Sequence, residues 1–436
     1  MVVYSKKIKN KQNYELSSQR FLMSEQKFSL GLTLFFFFVL FGPKIGGYID
    51  TSILVGGFSV LIFSLKQDIT FNKKFVGYIF TLGILLIYVL LIMLLNGSFD
   101  IAIFGRYVRS MISLIAIWTV VSKVNSSVNT IKSSIIIVLA IHAVVVILTT
   151  VVDPQWQEYI RWFNGYQKKV HDLRSTGLML GFDMSGLLCN IGFLMVATSL
   201  VKGKMLYFYR LLMAIFVFAV LFTSRFSIIT MLFLMIIFIF YFLRIGGKRF
   251  EVLFCTLFIV ITSVPLTILL LSTTSIGAQY LNHLYLTFPD MANLSDKFVS
   301  SYNNTELDST LGNNFNFSTL SNLQIFFGAG IGAGQDPGYT KIVFSTGIIG
   351  VILSIGWYTV ILKDMLKMRK HLKRENVKSY KKSFMQINIV IICMYLIVIF
   401  LSFKNNYYFT GTYFELFIVE VVLAYRIYKV GTQRGI

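Results

Sequence analysis

Arginines at the ends of apolar runs are the residues of this chain best suited to chemistry. Arg225 stands in TSRFS, between two such runs. A guanidinium there can grip a phosphate through two parallel hydrogen bonds and stays charged at any relevant pH. The plain alternative is an arginine whose apolar stem lets it reach lipid phosphates. Arg174 precedes another run in DLRSTGLMLGFDMSG, and Asp183 follows inside that run. A carboxylate there is costly unless it is paired or faces a wet cavity. It either pairs with an arginine, as a strut between helices, or takes a proton from a hydroxyl. Arg106 and Arg109 open a further run on one helix face. They add to a phosphate site or cap the run at the headgroups.

A glycine-rich block, FGAGIGAGQDPGYTKIVFSTGIIG, runs from Phe327 to Gly350. It lacks the strand and helix of a nucleotide-binding βαβ unit. We read it as tight backbone near a ligand, with Asp336 and Tyr339 at the mouth of the next apolar run. Gly347 and Gly350 then suit close helix packing. A plain loop-to-helix entry is the alternative, and Asp336 before Pro337 also favours an ordinary turn. His283 and His171 stand apart from other ligating residues, so no metal site is expected. The absence of an Asp-x-Asp pair argues against a metal-dependent transferase using nucleotide sugars. Glu415 and Glu420, in the last run, read as structural partners.

The elements that carry these residues follow from composition. The chain has 436 residues, 56% hydrophobic and 14% charged; soluble proteins carry about 25% charged. Its apolar runs approach the ~20 residues that cross ~30 Å of hydrocarbon as a helix. Lipid cannot satisfy open backbone, so such runs are helical. The expected architecture is an all-α polytopic membrane protein with about twelve spans, near 28–46, 48–65, 75–95, 101–121, 131–152, 178–200, 205–223, 226–243, 250–271, 341–362, 384–402 and 407–428. The first two spans are interrupted by Gly42-Pro43 and Gly46-Gly47. The chain divides into a leader (1–27), nine spans (28–271), one large polar loop (272–340), and three spans with a tail (341–436). The run Phe35 to Phe38 reads as lipid-facing bulk. The segment 153–176 suits a helix lying along the membrane interface.

The formal charge of +21 suggests nucleic acid, but the basic residues sort by topology. With the N-terminus in the cytoplasm, Lys and Arg concentrate in alternate connections, most densely from Lys363 to Lys382. This is the positive-inside bias. It places both termini in the cytoplasm and the large loop outside. Cys189, Cys255 and Cys393 fall inside apolar runs, so no disulfide framework is expected.

Arg174-x-x-Gly177 before a span, Ser224-Arg225 at an external joint, and the glycine block closing one large late loop occur in that order. In this the chain resembles the bacterial O-antigen polymerases (Wzy type), within the superfamily that includes O-antigen ligases. The chain departs from it in having no arginine in the large loop, and His283 lies at the start of that loop, away from the glycine block. The resemblance implies a GT-C-like helical bundle in the bacterial inner membrane. It implies a donor glycan on undecaprenyl pyrophosphate, a lipid-linked acceptor, and no cofactor or metal. A polysaccharide chain-length regulator is an implied partner. Arg174, Arg225, Arg106, Arg109 and Tyr339 would bind substrate; Asp336, Asp183 or His283 would take the acceptor proton. The product would be an O-antigen or capsule. A ligase and a lipid-linked oligosaccharide flippase are the alternatives.

Overall fold

The computed structural model describes residues 29–45, 49–66, 71–153, 155–163, 174–179, 181–199, 205–245, 319–331, 338–374, 378–402, 408–409 and 411–432. The expected span 250–271, the leader, most of the large loop, His283 and Asp336 lie outside these residues.

The described chain is a helical bundle with one two-residue antiparallel ladder, β1 (Lys44–Ile45) with β2 (Ile49–Asp50). The helices are α1 (Leu30–Phe41), α2 (Thr51–Lys66), α3 (Lys73–Leu95), α4 (Ile101–Lys123), α5 (Val128–Ile147), α6 (Trp156–Phe163), α7 (Phe182–Thr198), α8 (Met205–Leu221), α9 (Arg225–Ile245), α10 (Asn322–Phe327), α11 (Gly338–Arg374), α12 (Lys378–Leu401) and α13 (Gly411–Thr432). Each expected span other than 250–271 thus coincides with a helix. Among the described residues, 5 helical segments are long and apolar enough to cross a membrane: Lys73–Leu95, Ile101–Lys123, Val128–Val152, Tyr339–Leu372 and Ser383–Phe400.

Helix starts follow local chemistry. The Asp100 carboxylate accepts from the amides of Ala102 (2.9 Å) and Ile103 (3.2 Å), and Ser127 accepts from Thr130. These bonds satisfy amides that have no partner inside the helix. The interruption after α1 has a clear cause. A Cβ at Gly42 would strike Phe38 O and Thr51 Oγ1, and the Thr51 amide and hydroxyl both donate to Pro43 O. The chain folds back there rather than continuing as one long helix.

Apolar stripes assemble the bundle. α13 is its centre, packed against α4, α12, α11 and α1. Nearly every residue from Thr412 to Tyr425 is buried, Glu415 and Glu420 included. A helix buried all round belongs in the interior. The reading of Phe35 to Phe38 as lipid-facing bulk is corrected: Phe35 and Phe36 are buried in the core. α1 packs on both α2 and α5, so half of its phenylalanine face has protein to fill.

Polar contacts tie several helix ends together. At one end Lys74 pairs with Asp364 at 3.2 Å, Tyr78 donates to Asp364 at 2.9 Å, and Arg426 donates to Val121 O and Ser126 O. Asp183, Arg225 and Tyr339 lie in the first turns of α7, α9 and α11, Arg174 lies on the turn before α7, and Arg109 lies nine residues into α4.

Candidate functional site

The stretch after Arg174 is shaped by a residue hidden in an apolar run. His142, on α5, is fully buried and stacks on Phe41 with ring centroids 4.9 Å apart. Its Nδ1 accepts from the Leu178 amide at 3.2 Å, and its Nε2 faces Ser185 Oγ at 3.1 Å. An acceptor at Nδ1 assigns the proton to Nε2. Gly177 meets the same wall. Its φ is +51°, and a Cβ there would lie 2.6 Å from Val146 Cγ2 and 2.8 Å from His142 Cε1. Glycine is required both by the left-handed conformation and by the close approach. This is the physical content of Arg-x-x-Gly: the glycine turns the backbone against α5 just after the arginine.

Ser175 fixes the other side. Its hydroxyl lies 2.5 Å from Thr149 Oγ1 and accepts from the Gly177 amide at 2.9 Å. Thr149 sits in a π-helical turn, Leu148–Val152, that ends α5. The Ser175 amide donates to Phe222 O at 2.9 Å. Phe222 opens the short turn that ends in Arg225. Ser224 then caps α9, with its Oγ 3.2 Å from the Ser227 amide and 2.8 Å from Ser227 Oγ. The two arginine-bearing turns are therefore joined backbone to backbone. Arg225 is the first residue of α9. Arg174 is part-exposed and makes no ion pair with a described residue.

α7 packs under this pair of turns. A Cβ at Gly186 would strike Ser227 Oγ and Thr223 Oγ1, and Asn190 Nδ2 donates to Ser227 O at 2.9 Å. Asp183 lies in the first turn of α7 and is part-exposed. A carboxylate there is favoured by the helix dipole. The same placement brings it onto the helix that supports both turns.

Arg109 has a different surrounding. It lies between Asp50 (Nη1 to Oδ2, 2.7 Å) and Glu415 (Nη2 to Oε1, 3.4 Å). Ser113 Oγ also donates to Glu415 Oε1, at 2.9 Å. Glu415 is fully buried, and its Oε2 has no hydrogen-bond partner among the described residues. Arg109 thus serves the bundle centre; Gly411 lets α13 approach it, since a Cβ there would lie 2.8 Å from the guanidinium carbon. Arg106 remains part-exposed one turn earlier.

Tyr339 opens α11 and ties it to the end of α12. Its amide donates to Ser402 O at 3.0 Å, its hydroxyl to Ile399 O at 2.7 Å, and Tyr408 OH lies at 3.2 Å. The glycine block beside it does more than ease packing. α11 is interrupted at Gly347 (φ 66°, ψ −177°). The interruption leaves Phe344 O for the Ala329 amide at 2.8 Å and Thr346 O for Tyr88 OH at 3.0 Å. A Cβ at Gly347 would strike Phe326 O and Gly328 N. The turn from Gly328 therefore seats in a broken helix, and Asn96 and Ser98 beyond the end of α3 hold its carbonyls.

No protein-family model matches this chain, and no curated protein matches it.

The turn at Arg174 connects to the centre through Met179, whose sulfur lies 3.5 Å from Thr412 Oγ1. Thr412 also donates to Leu40 O at 2.6 Å, beside Gly411 and the Arg109 cluster. Sequence reasoning missed His142 and Asp50. A lone histidine inside an apolar run gives no signal until its partners are known. Asp50 had a weak one: an acid just before an apolar run, in a part of the chain otherwise short of charge.

Proposed function

We propose that this chain is a metal-independent glycosyltransferase that joins undecaprenyl-pyrophosphate-linked repeat units into a surface polysaccharide. The observation that supports this most is the hydrogen bond from Ser175 to Phe222, which couples the Arg174 and Arg225 turns. Two such arginines suit a pyrophosphate, which presents several anionic oxygens to forked donors.

The reaction balances without a cofactor. The acceptor sugar's hydroxyl oxygen bonds to the donor's anomeric carbon as the bond from that carbon to pyrophosphate oxygen breaks. The electron pair leaves with undecaprenyl pyrophosphate, where arginines stabilise the growing charge. The hydroxyl proton goes to a carboxylate, and Asp183 is the described candidate. The enzyme would work in the bacterial cytoplasmic membrane, with the large loop outside.

The broken α11 at Gly347 favours a second reading, a lipid-linked oligosaccharide flippase, since interrupted helices recur where transporters bind substrate. One experiment separates them. The purified chain in detergent, given lipid-linked repeat units, is expected to yield a ladder of lengthened glycans. Transport across vesicles with no lengthening would replace the polymerase reading with the flippase. Transfer only to a lipid A-type acceptor would replace it with a ligase.

A further inference from the structure

The two ring nitrogens of His142 reach the two segments that carry Arg174 and Asp183. Nδ1 accepts from the Leu178 amide at 3.2 Å, on the turn that follows Arg174. Nε2 lies 3.1 Å from Ser185 Oγ and 3.3 Å from Ser185 O, in the turn of α7 that begins beside Asp183. One imidazole therefore bonds the backbone just beyond the candidate anion binder and just beyond the candidate base.

The ring is a fixed reference for both. It is fully buried on α5 and stacks on Phe41 of α1, with an interplanar angle of 12°. Gly177 closes against its Cε1 edge without a side chain between them. A buried imidazole needs hydrogen-bond partners wherever it sits, and a carbonyl or hydroxyl of a neighbouring helix would satisfy it. That need does not explain why one partner lies on the Arg174 turn and the other on the Asp183 helix. Spacing between those segments matters to the transfer. The leaving pyrophosphate and the attacking hydroxyl stand at the same carbon, so their protein partners must hold one separation.

We propose that His142 is a positioning residue for the transfer. Through Leu178 and Ser185 it sets the spacing between Arg174, at the pyrophosphate, and Asp183, at the acceptor hydroxyl. This rests on the polymerase reading, and His142 itself touches no substrate.

The test uses the purified full chain in detergent with lipid-linked repeat units. Two variants each keep one of the bonds. His142→Asn can place an oxygen where Nδ1 stands, keeping Leu178 and losing Ser185. His142→Gln can place its amide where Nε2 stands, keeping Ser185 and losing Leu178. Each is expected to lower kcat per folded molecule roughly 10²-fold, the effect of a displacement of about 1 Å, with KM near the wild-type value. Hydrogen exchange at Leu178 should quicken in His142→Gln and stay slow in His142→Asn. Added to Arg174→Ala, His142→Gln should lower kcat scarcely further, because the arginine it positions is gone. A full multiplication of the two losses would overturn the proposal, since His142 would then act through the fold at large. So would wild-type kcat from folded His142→Gln, or Leu178 exchange that ignores it. A wild-type chain that lengthens no glycan would instead overturn the polymerase reading, and Leu178 exchange would still show whether His142 holds the turn.

Discussion

Arg109 and Arg174 stand before apolar runs in much the same sequence setting, yet the bundle treats them differently. Arg109 lies between Asp50 and Glu415, one part-exposed and one fully buried. Arg174 is carried on a turn whose order comes from backbone bonds at Ser175, Gly177 and Leu178. The first arginine is itself the strut; the second is presented by struts made from other residues. An arginine whose charge is matched internally holds helices together. Arg174, held by its backbone, is part-exposed and makes no ion pair with a described residue.

The largest expected effect is on stability, at Arg109. Arg109→Ala leaves Glu415 buried with its counterion removed, at a cost of about 3–5 kcal/mol. Membrane abundance and melting temperature should both fall. Glu415→Gln in the same chain should recover much of the loss, because the buried charge goes with its partner. If the double variant is no more stable than Arg109→Ala, the Glu415 pairing does not carry the cost.

Arg174→Ala and Arg225→Ala should show the reverse pattern. Each is expected to lower polymer synthesis about 10²–10³-fold, the usual effect of deleting a donor to a charge that grows in the transition state. Membrane abundance should stay near normal. Lysine should not restore activity, since a point charge lacks the guanidinium fork. Normal-length polymer from both alanine variants would end the contrast with Arg109.

Gly177→Ala tests whether the backbone presents Arg174. The left-handed conformation alone costs about 1–2 kcal/mol for a residue with a Cβ, and His142 and Val146 crowd the added carbon. Activity per folded molecule is expected to fall well beyond the modest loss in melting temperature. A proportional fall in both would mean that the turn matters only to folding.

Much of this frame was legible in the chain. Apolar runs locate helices because lipid and core both require intrachain backbone bonding. What escaped was made by distant partners. Asp50 meets Arg109 across |i−j| = 59, and Glu415 meets it across 306; no local pattern encodes either. His142 lies in a run where only apolar periodicity shows, and its role exists only once Leu178 and Ser185 arrive. Gly347 was expected to ease packing, but it breaks the helix, because the turn at Gly328 must enter there. The arginine turns followed from sequence as positions, while their mutual bond did not.

The smallest expected effect is at Asp50, and it decides which half of the Arg109 cluster matters. Asp50 has two tasks on separate oxygens. Oδ1 accepts from the Ser52 amide at 3.0 Å, and Oδ2 accepts from Arg109 at 2.7 Å. Asp50→Asn can keep an oxygen on Ser52, so the start of α2 should survive, and only the charge is lost. Both partners are part-exposed, at 14% and 22%, so solvent already screens the pair and its loss should cost about 1 kcal/mol. Glu415 remains as counterion to Arg109, and no buried charge is stranded. A thermal melt of Asp50→Asn, Arg109→Ala and the two combined measures the coupling directly. The double variant should be scarcely less stable than Arg109→Ala, because once the arginine is gone the Asp50 charge has lost the partner it served. If Asp50→Asn alone costs as much as Arg109→Ala, then the exposed carboxylate holds Arg109, and the buried one is a neighbour rather than its anchor.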